Sequence, residues 1–248
     1  MMREIIELNS NWLFKKGCNE CPSTIPNWEK VNLPHTWNNI DGMDGGNDYF
    51  RGNSCYFKVI DKSLLKSNKT NFLEFKGVGN SATVYINGEE KAIHHGGYSA
   101  FIAKIDNPNQ DAYITVVADN SVNDKVYPQT ADFTFYGGIY RDVLLYSVEN
   151  TYFEPYSLKI KSNVIEKDAI IEVETKIINF LSGDSIFYEI YDSNSNLILS
   201  SNEAKLLIKD VHLWNGIKDP YLYTLKVNYR HPKWCQLPGF VENCFQHY

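Results

Sequence analysis

Asp132 is displayed on a polar stretch, inside Tyr127–Val143 (YPQTADFTFYGGIYRDV), just ahead of an apolar run. The Gly137-Gly138 pair that follows permits backbone angles a side chain would forbid, so it predicts a tight bend. Residues 139–146 are β-branched and aromatic and predict a strand. A carboxylate on a loop braced by a strand is in a position where scaffolds carry functional groups. A second such region is Asp41–Gly52 (DGMDGGNDYFRG), whose four glycines and several Asx residues predict a long irregular loop. It presents an amide, a carboxylate and a guanidinium at Asn47, Asp48 and Arg51. Long loops in compact domains are frequently functional.

Other residues invite metal or nucleophile chemistry and answer it less well. Cys18 and Cys21 have metal-ligand spacing, but no second C-x-x-C matches them. The five cysteines (Cys18, Cys21, Cys55, Cys235, Cys244) are an odd count, and the N-terminus does not read as a signal peptide, which together argue for free thiols. A zinc site joining Cys18 and Cys21 to Cys235 and Cys244 is the alternative. His94-His95 are adjacent residues whose side chains diverge, with no obvious third ligand, so an ordinary loop is the expectation. No Ser-His-Asp grouping or phosphate-cradling glycine loop stands out. The reading therefore predicts no metal and no cofactor.

The elements that must position these groups are short strands. Residues 3–14 predict an edge strand, 28–33 a short strand ended by Pro34, and 55–60 another. Further strands are predicted at 71–75, 82–86, 101–105 and 113–118, with Asn87-Gly88 as a hairpin signal. No segment shows a helical period longer than two turns. About ten short strands point to two packed antiparallel sheets of the jelly-roll type over 1–149. Beyond 149–155, strands at 156–160, 169–178, 185–191, 197–200, 203–208 and 222–227 predict an immunoglobulin-like sandwich over 150–228. Residues 229–248 have two Pro, two Cys and no period, and predict an irregular tail. Trp12 and Trp214 are expected in the cores.

Composition narrows the function classes. A net charge of −6 without a basic run argues against a nucleic-acid surface. No run approaches the ~20 apolar residues of a membrane span. With charges inside the N-terminal apolar pattern instead of a signal peptide, the expected location is the cytoplasm. Aromatics are 14% of the chain, led by 17 Tyr, which suits sheets and also flat, wet ligands.

Three motifs resemble the N-terminal part of glycoside hydrolase family 2, the β-galactosidase and β-glucuronidase group. They are Leu33–Asn38 (LPHTWN), the glycine-rich Asp41–Tyr56, and Ala131–Val143 (ADFTFYGGIYRDV). In the second region, Leu213-Trp214-Asn215 with Pro220–Leu225 is similar to the end of the family's sandwich. The resemblance implies a jelly-roll sugar-binding domain, then an immunoglobulin-like domain, with the family's catalytic (β/α) barrel absent from this stretch. A retaining glycosidase needs two carboxyl groups roughly 5–5.5 Å apart, and in the family both are barrel glutamates. Asn19-Glu20 and Asn202-Glu203 lie in no barrel context and read as solvated surface carboxylates. The resemblance therefore implies no catalytic residue here.

By the same resemblance, Asp132 reaches the barrel's pocket and accepts sugar hydroxyls; the alternative is that it caps its own loop turn. Asn47 and Asp48 contact the sugar or form a loop-internal Asx turn. Arg51 contacts the sugar or pairs with a carboxylate and holds the loop. Arg141 and Asp142 are expected in structural ion pairs at an edge, and His35 and Trp37 as internal fasteners. The implied partners are a β-linked sugar, a galactoside ahead of a glucuronide, and a separate catalytic barrel chain. A self-standing carbohydrate-binding protein and a ligand-free structural module are the competing readings.

Overall fold

The computed structural model describes residues 5–40, 49–128 and 130–231, and the backbone of 237–243. The chain divides after Glu149 into two compact units.

Among its described residues the first unit holds ten strands in two antiparallel sheets. They are β1 (Ile5–Glu7), β2 (Trp12–Lys16), β3 (Glu29–Val31), β4 (Asn53–Ile60), β5 (Thr70–Phe75), β6 (Ser81–Ile86), β7 (Glu89–His95), β8 (Phe101–Ile105), β9 (Ala112–Asp119) and β10 (Val143–Val148). One sheet has the order β1-β10-β5-β8 and the other β3-β2-β4-β9-β6-β7. Ala82, Val84 and Ile86 of β6 are buried while the residues between them are half-buried, the two-residue period of a strand with one face on the core. Those side chains share a core with Leu73 and Phe75 of β5 and Leu145 of β10, so the two sheets pack as a sandwich. Asn87 and Gly88 close β6 to β7 with φ of 53° and 82°, the paired positive angles of a tight hairpin.

Local pattern gives way to pairing in three places. The edge strand expected over 3–14 is two strands in different sheets: β1 pairs with β10, and β2 with β3 and β4. Asn11, at φ 56°, lies between them, and its N–H donates to the Asn32 side chain at 2.9 Å. His94 and His95 are not in a loop but end β7, opposite Ala82 and Ser81. There the His94 ring stacks on Phe101, centroids 4.4 Å apart. The strand expected from 139 begins at Val143, because Gly138 is already bridged to Gly79 and Ile139 is bonded to His35.

The second unit comprises β11 (Tyr152–Phe153), β12 (Lys159–Ile165), β13 (Asp168–Glu174), β14 (Ile177–Ile178), β15 (Ser185–Tyr191), β16 (Leu197–Ser201), β17 (Lys205–Ile208), β18 (Thr224–Arg230) and β19 (Leu237–Asn243). Sheets β12-β13-β17 and β16-β15-β18-β19 bury Ile171, Ile190, Leu225 and Val227 between them. The tail is not wholly irregular: the backbone of β19 pairs antiparallel with β18, with a register shift between Val227 and Tyr229. Pro238-Gly239 breaks the alternation that would have marked a strand, and an outer strand tolerates the missing proline N–H. Trp214 is 40% exposed, outside the core, on the loop where Asn215 and Asp219 bridge.

The described chain is all-β: a jelly-roll sandwich followed by an immunoglobulin-like one, with no (β/α) barrel. Among the described residues no helix is long and apolar enough to cross a membrane.

Candidate functional site

The approach to Asp132 is built on two buried side-chain amides. Asn38 and Asn120 are 1% and 0% exposed. The Asn120 Nδ2 donates to Asn38 Oδ1 at 3.0 Å and to the Phe135 carbonyl at 2.7 Å. Its Oδ1 accepts the Gly52 N–H at 2.8 Å. Asn38 Oδ1 also accepts the Gly137 N–H at 2.8 Å, and its Nδ2 donates to the Phe50 carbonyl at 2.9 Å. A buried amide left unpaired would cost about 1–3 kcal/mol per group, so satisfied pairs like these fix the backbone they touch.

Further contacts hold the same loop from other sides. Phe135 N–H donates to the Tyr49 hydroxyl. Thr36 Oγ1 donates to the Gly137 carbonyl at 2.8 Å, and His35 N–H to the Ile139 carbonyl at 2.8 Å. Gly137 lies against the Trp37 indole, where a Cβ would fall 2.0 Å from Cζ2. Gly138 has φ +133°, and a Cβ there would meet the His35 carbonyl at 2.4 Å. Tyr140 donates to the Gly97 carbonyl, and burial pushes its phenol up to about 12.

Beneath the loop, the His35 Nδ1 is 2.7 Å from the Tyr56 hydroxyl. With its proton on Nε2, a neutral His35 accepts the phenolic proton at Nδ1. Burial lowers the pKa of His35 and raises that of Tyr56, so both stay uncharged at neutral pH.

Asp132 itself is exposed and makes no hydrogen bond or ion pair with another described residue. It caps no turn in the described structure. Phe133 and Tyr136 beside it are 54% and 48% exposed, whereas Phe135 between them is buried. Arg51 donates through Nε to the Asn120 carbonyl at 2.9 Å, and its guanidinium lies 4.6 Å over the Phe135 ring. Arg51 thus comes together with the loop that carries Asp132. Asn47 and Asp48 lie outside the described residues.

Several groups stand apart from this site. Arg141 donates to the Tyr98 carbonyl at 3.3 Å, and Asp142 accepts from Asn9 at 2.8 Å, in place of the expected ion pairs. Glu20 pairs with Lys15 at 2.7 Å on the surface, and Glu203 is exposed. Cys18 and Cys55 are buried free thiols and Cys21 an exposed one; Cys235 and Cys244 lie outside the described residues. Among the described residues no group of three or more His, Cys, Asp or Glu is placed to hold a metal ion. The residues whose role sequence reasoning missed are Asn38 and Asn120. Asn120 follows the last residue of β9 in an Asp-Asn-Ser run, so its composition signals a turn, not a clamp.

Residues 7–149 match the family described as glycosyl hydrolases family 2, sugar binding domain. A beta-glucuronidase of Bacteroides fragilis is 30% identical over 249 residues, covering 91% of this chain and 35% of its own length. A beta-galactosidase of Thermoanaerobacterium thermosulfurigenes is 29% identical over 252 residues, again covering 91% and 35%. The crystal structure of an FMN-binding beta-glucuronidase from Facaelibacterium prausnitzii L2-6 aligns with a TM-score of 0.78 at 30% identity, over 98% of this chain and 39% of that one. The chain thus spans 35% of the length of each of these curated relatives.

Proposed function

The chain belongs to glycosyl hydrolases family 2, and from that premise we propose that it is the N-terminal, sugar-contacting part of a retaining β-glycosidase. The catalytic carboxyl pair is supplied by a barrel outside these residues, and Asp132 reaches that pocket. One observation carries the reading: an exposed carboxylate with no partner among the described residues, on a loop anchored by buried hydrogen bonds. A free carboxylate accepts two hydroxyl donors, which orients a sugar. Arg51 packs beside the same loop, and Asn47 and Asp48 are proposed as further sugar contacts on the family resemblance alone. A galactoside is favoured over a glucuronide, because the ADFTFYGG motif and the glycine-rich GGNDYFRG stretch resemble the galactosidase branch more.

The exposed Phe133 and Tyr136 support a second reading, a carbohydrate-binding protein that works without a barrel. Hydrolysis of chromogenic β-galactoside and β-glucuronide, by the chain alone and mixed with a separately expressed family 2 barrel, separates these. Activity only on mixing, sharply lowered but still measurable in Asp132→Ala, is the expected result. Turnover by the chain alone would refute the absence of a catalytic pair. Saturable glycan binding without any gain on mixing would favour the second reading. Preference for the glucuronide would overturn the galactoside assignment.

A further inference from the structure

We infer that the Asn38–Asn120 amide pair is the positioning device of the sugar site; this rests on the sugar-contact reading of Asp132. The two residues are 82 positions apart in sequence, yet Asn120 Nδ2 donates to Asn38 Oδ1 at 3.0 Å with both side chains buried. From this pair, bonds run to two separate stretches of backbone. Phe50 and Gly52 are held on the side of the glycine-rich loop. Phe135 and Gly137 are held on the side of the Asp132 loop. The pair therefore joins the loop that carries Asp132 to the segment that carries Arg51.

The geometry gives the direction of control. Phe135 is pinned at its carbonyl by Asn120, at its N–H by Tyr49, and at its ring by Arg51. Asp132 lies three residues upstream and has no hydrogen bond or ion pair of its own to a described residue. Its position is inherited from the pinned segment. Neither asparagine reaches solvent, so neither touches the sugar; both act through the backbone. Asparagine suits this task because one amide supplies a donor and an acceptor in a fixed plane, and both are used at each position. Aspartate at 120 would keep the bond to Gly52 N–H and lose the donors to Asn38 and Phe135.

Two measurements on the full chain test this. Amide hydrogen exchange reads the clamp whether or not a sugar binds. In Asn120→Ala, exchange at Gly137 and Phe135 is expected to accelerate about tenfold or more, the equivalent of one lost net hydrogen bond, while β9 amides keep their protection. Unchanged exchange at Gly137 would overturn the inference. If Asn120→Ala does not fold, Tyr49→Phe replaces it and removes only the hydroxyl at Phe135 N–H; faster exchange at Phe135 is then expected, and none would refute the pinning.

The second measurement is KM and kcat for the chromogenic β-galactoside in the barrel mixture. Asn120→Ala is expected to raise KM about tenfold, and to raise it no further when Asp132 is already Ala. A merely structural role predicts effects that multiply in the double variant, and that result would sink the positioning assignment. Absence of activity for the unmodified chain in the mixture would instead count against the sugar-contact reading, with exchange still deciding whether the pair holds the loop.

Discussion

Replacing Gly137 with alanine adds one methyl group at the tightest contact beside Asp132. The ideal Cβ falls 2.0 Å from Trp37 Cζ2, 2.4 Å from Cε2 and 2.6 Å from Cη2. Carbon atoms prefer separations of about 3.5–4.0 Å, so the indole or the loop must retreat by roughly 1.5 Å. The indole has little room. It is 5% exposed, lies 6.2 Å from Phe14 at 15°, and donates from Nε1 to the Phe50 carbonyl at 3.3 Å. Backbone strain does not contribute, because Gly137 is not among the residues with positive φ, unlike Gly138. The cost is then overpacking, about 1–3 kcal/mol, plus about 1 kcal/mol for the indole hydrogen bond. A total of about 2–4 kcal/mol lowers the melting temperature of a unit this size by about 4–16 °C.

Differential scanning calorimetry reads that shift directly, and near-ultraviolet circular dichroism reports the indole. The control is Gly88→Ala, where a Cβ meets nothing within 4 Å and only the φ of +82° is penalised; its cost is about 1–2 kcal/mol. The decisive variant is Gly137→Ala combined with Trp37→Leu, which removes the ring the methyl strikes. The double variant should melt no lower than Trp37→Leu alone, since contacting residues couple. A Gly137→Ala protein that melts within about 1 °C of the parent, or penalties that simply add, would refute the packing argument.

Three further outcomes are expected. Burial holds His35 and His94 below the usual imidazole pKa, so the unfolded chain binds more protons than the folded one. Their contribution to stability is fully present above about pH 6.5 and is lost as pH falls through the lowered folded values. Melting temperatures between pH 7.5 and 5.5 should show this slope for the first unit, flattened in His35→Gln; an unaltered slope in that variant would exclude His35 as a source. Burial and the neighbouring Cys18 thiol push Cys55 up, so alkylation of the native protein at pH 8 should reach exposed Cys21 well before Cys18 or Cys55. Equal labelling of the three, measured by mass spectrometry, would contradict the buried placement. Asp132→Asn keeps the shape of the side chain and removes its charge. It should leave melting unchanged to within about 0.5 kcal/mol, as for a surface substitution, while lowering galactoside turnover in the barrel mixture; a large loss of stability would mean that Asp132 braces the loop after all.

How much of this was readable in the sequence depends on the range of the interaction involved. The β6–β7 hairpin was legible because Asn87 and Gly88 carry its geometry in two adjacent residues. The sandwich of the first unit was legible because one-sided burial writes a two-residue period into β6. His94 and His95 were misread because pairing with β6 outweighed the turn character of the glycines after them. Trp214 was misread because indole size predicts burial only when a strand face points it inward, and its loop does not. The β19 strand was hidden by Pro238-Gly239, which an outer strand can tolerate.

The candidate site was half legible for the same reason. Gly137-Gly138 announced a bend, but the two glycines serve different ends: Gly138 adopts φ +133°, whereas Gly137 makes room for Trp37, a hundred residues earlier in the chain. The amide pair was invisible, because each asparagine also fits a turn and nothing local pairs position 38 with position 120. A loop that displays an unpaired carboxylate must be held by bonds that do not use that carboxylate. In this fold those bonds come from side chains distant in sequence, so the residue available for a ligand can be found by composition and its support only by structure.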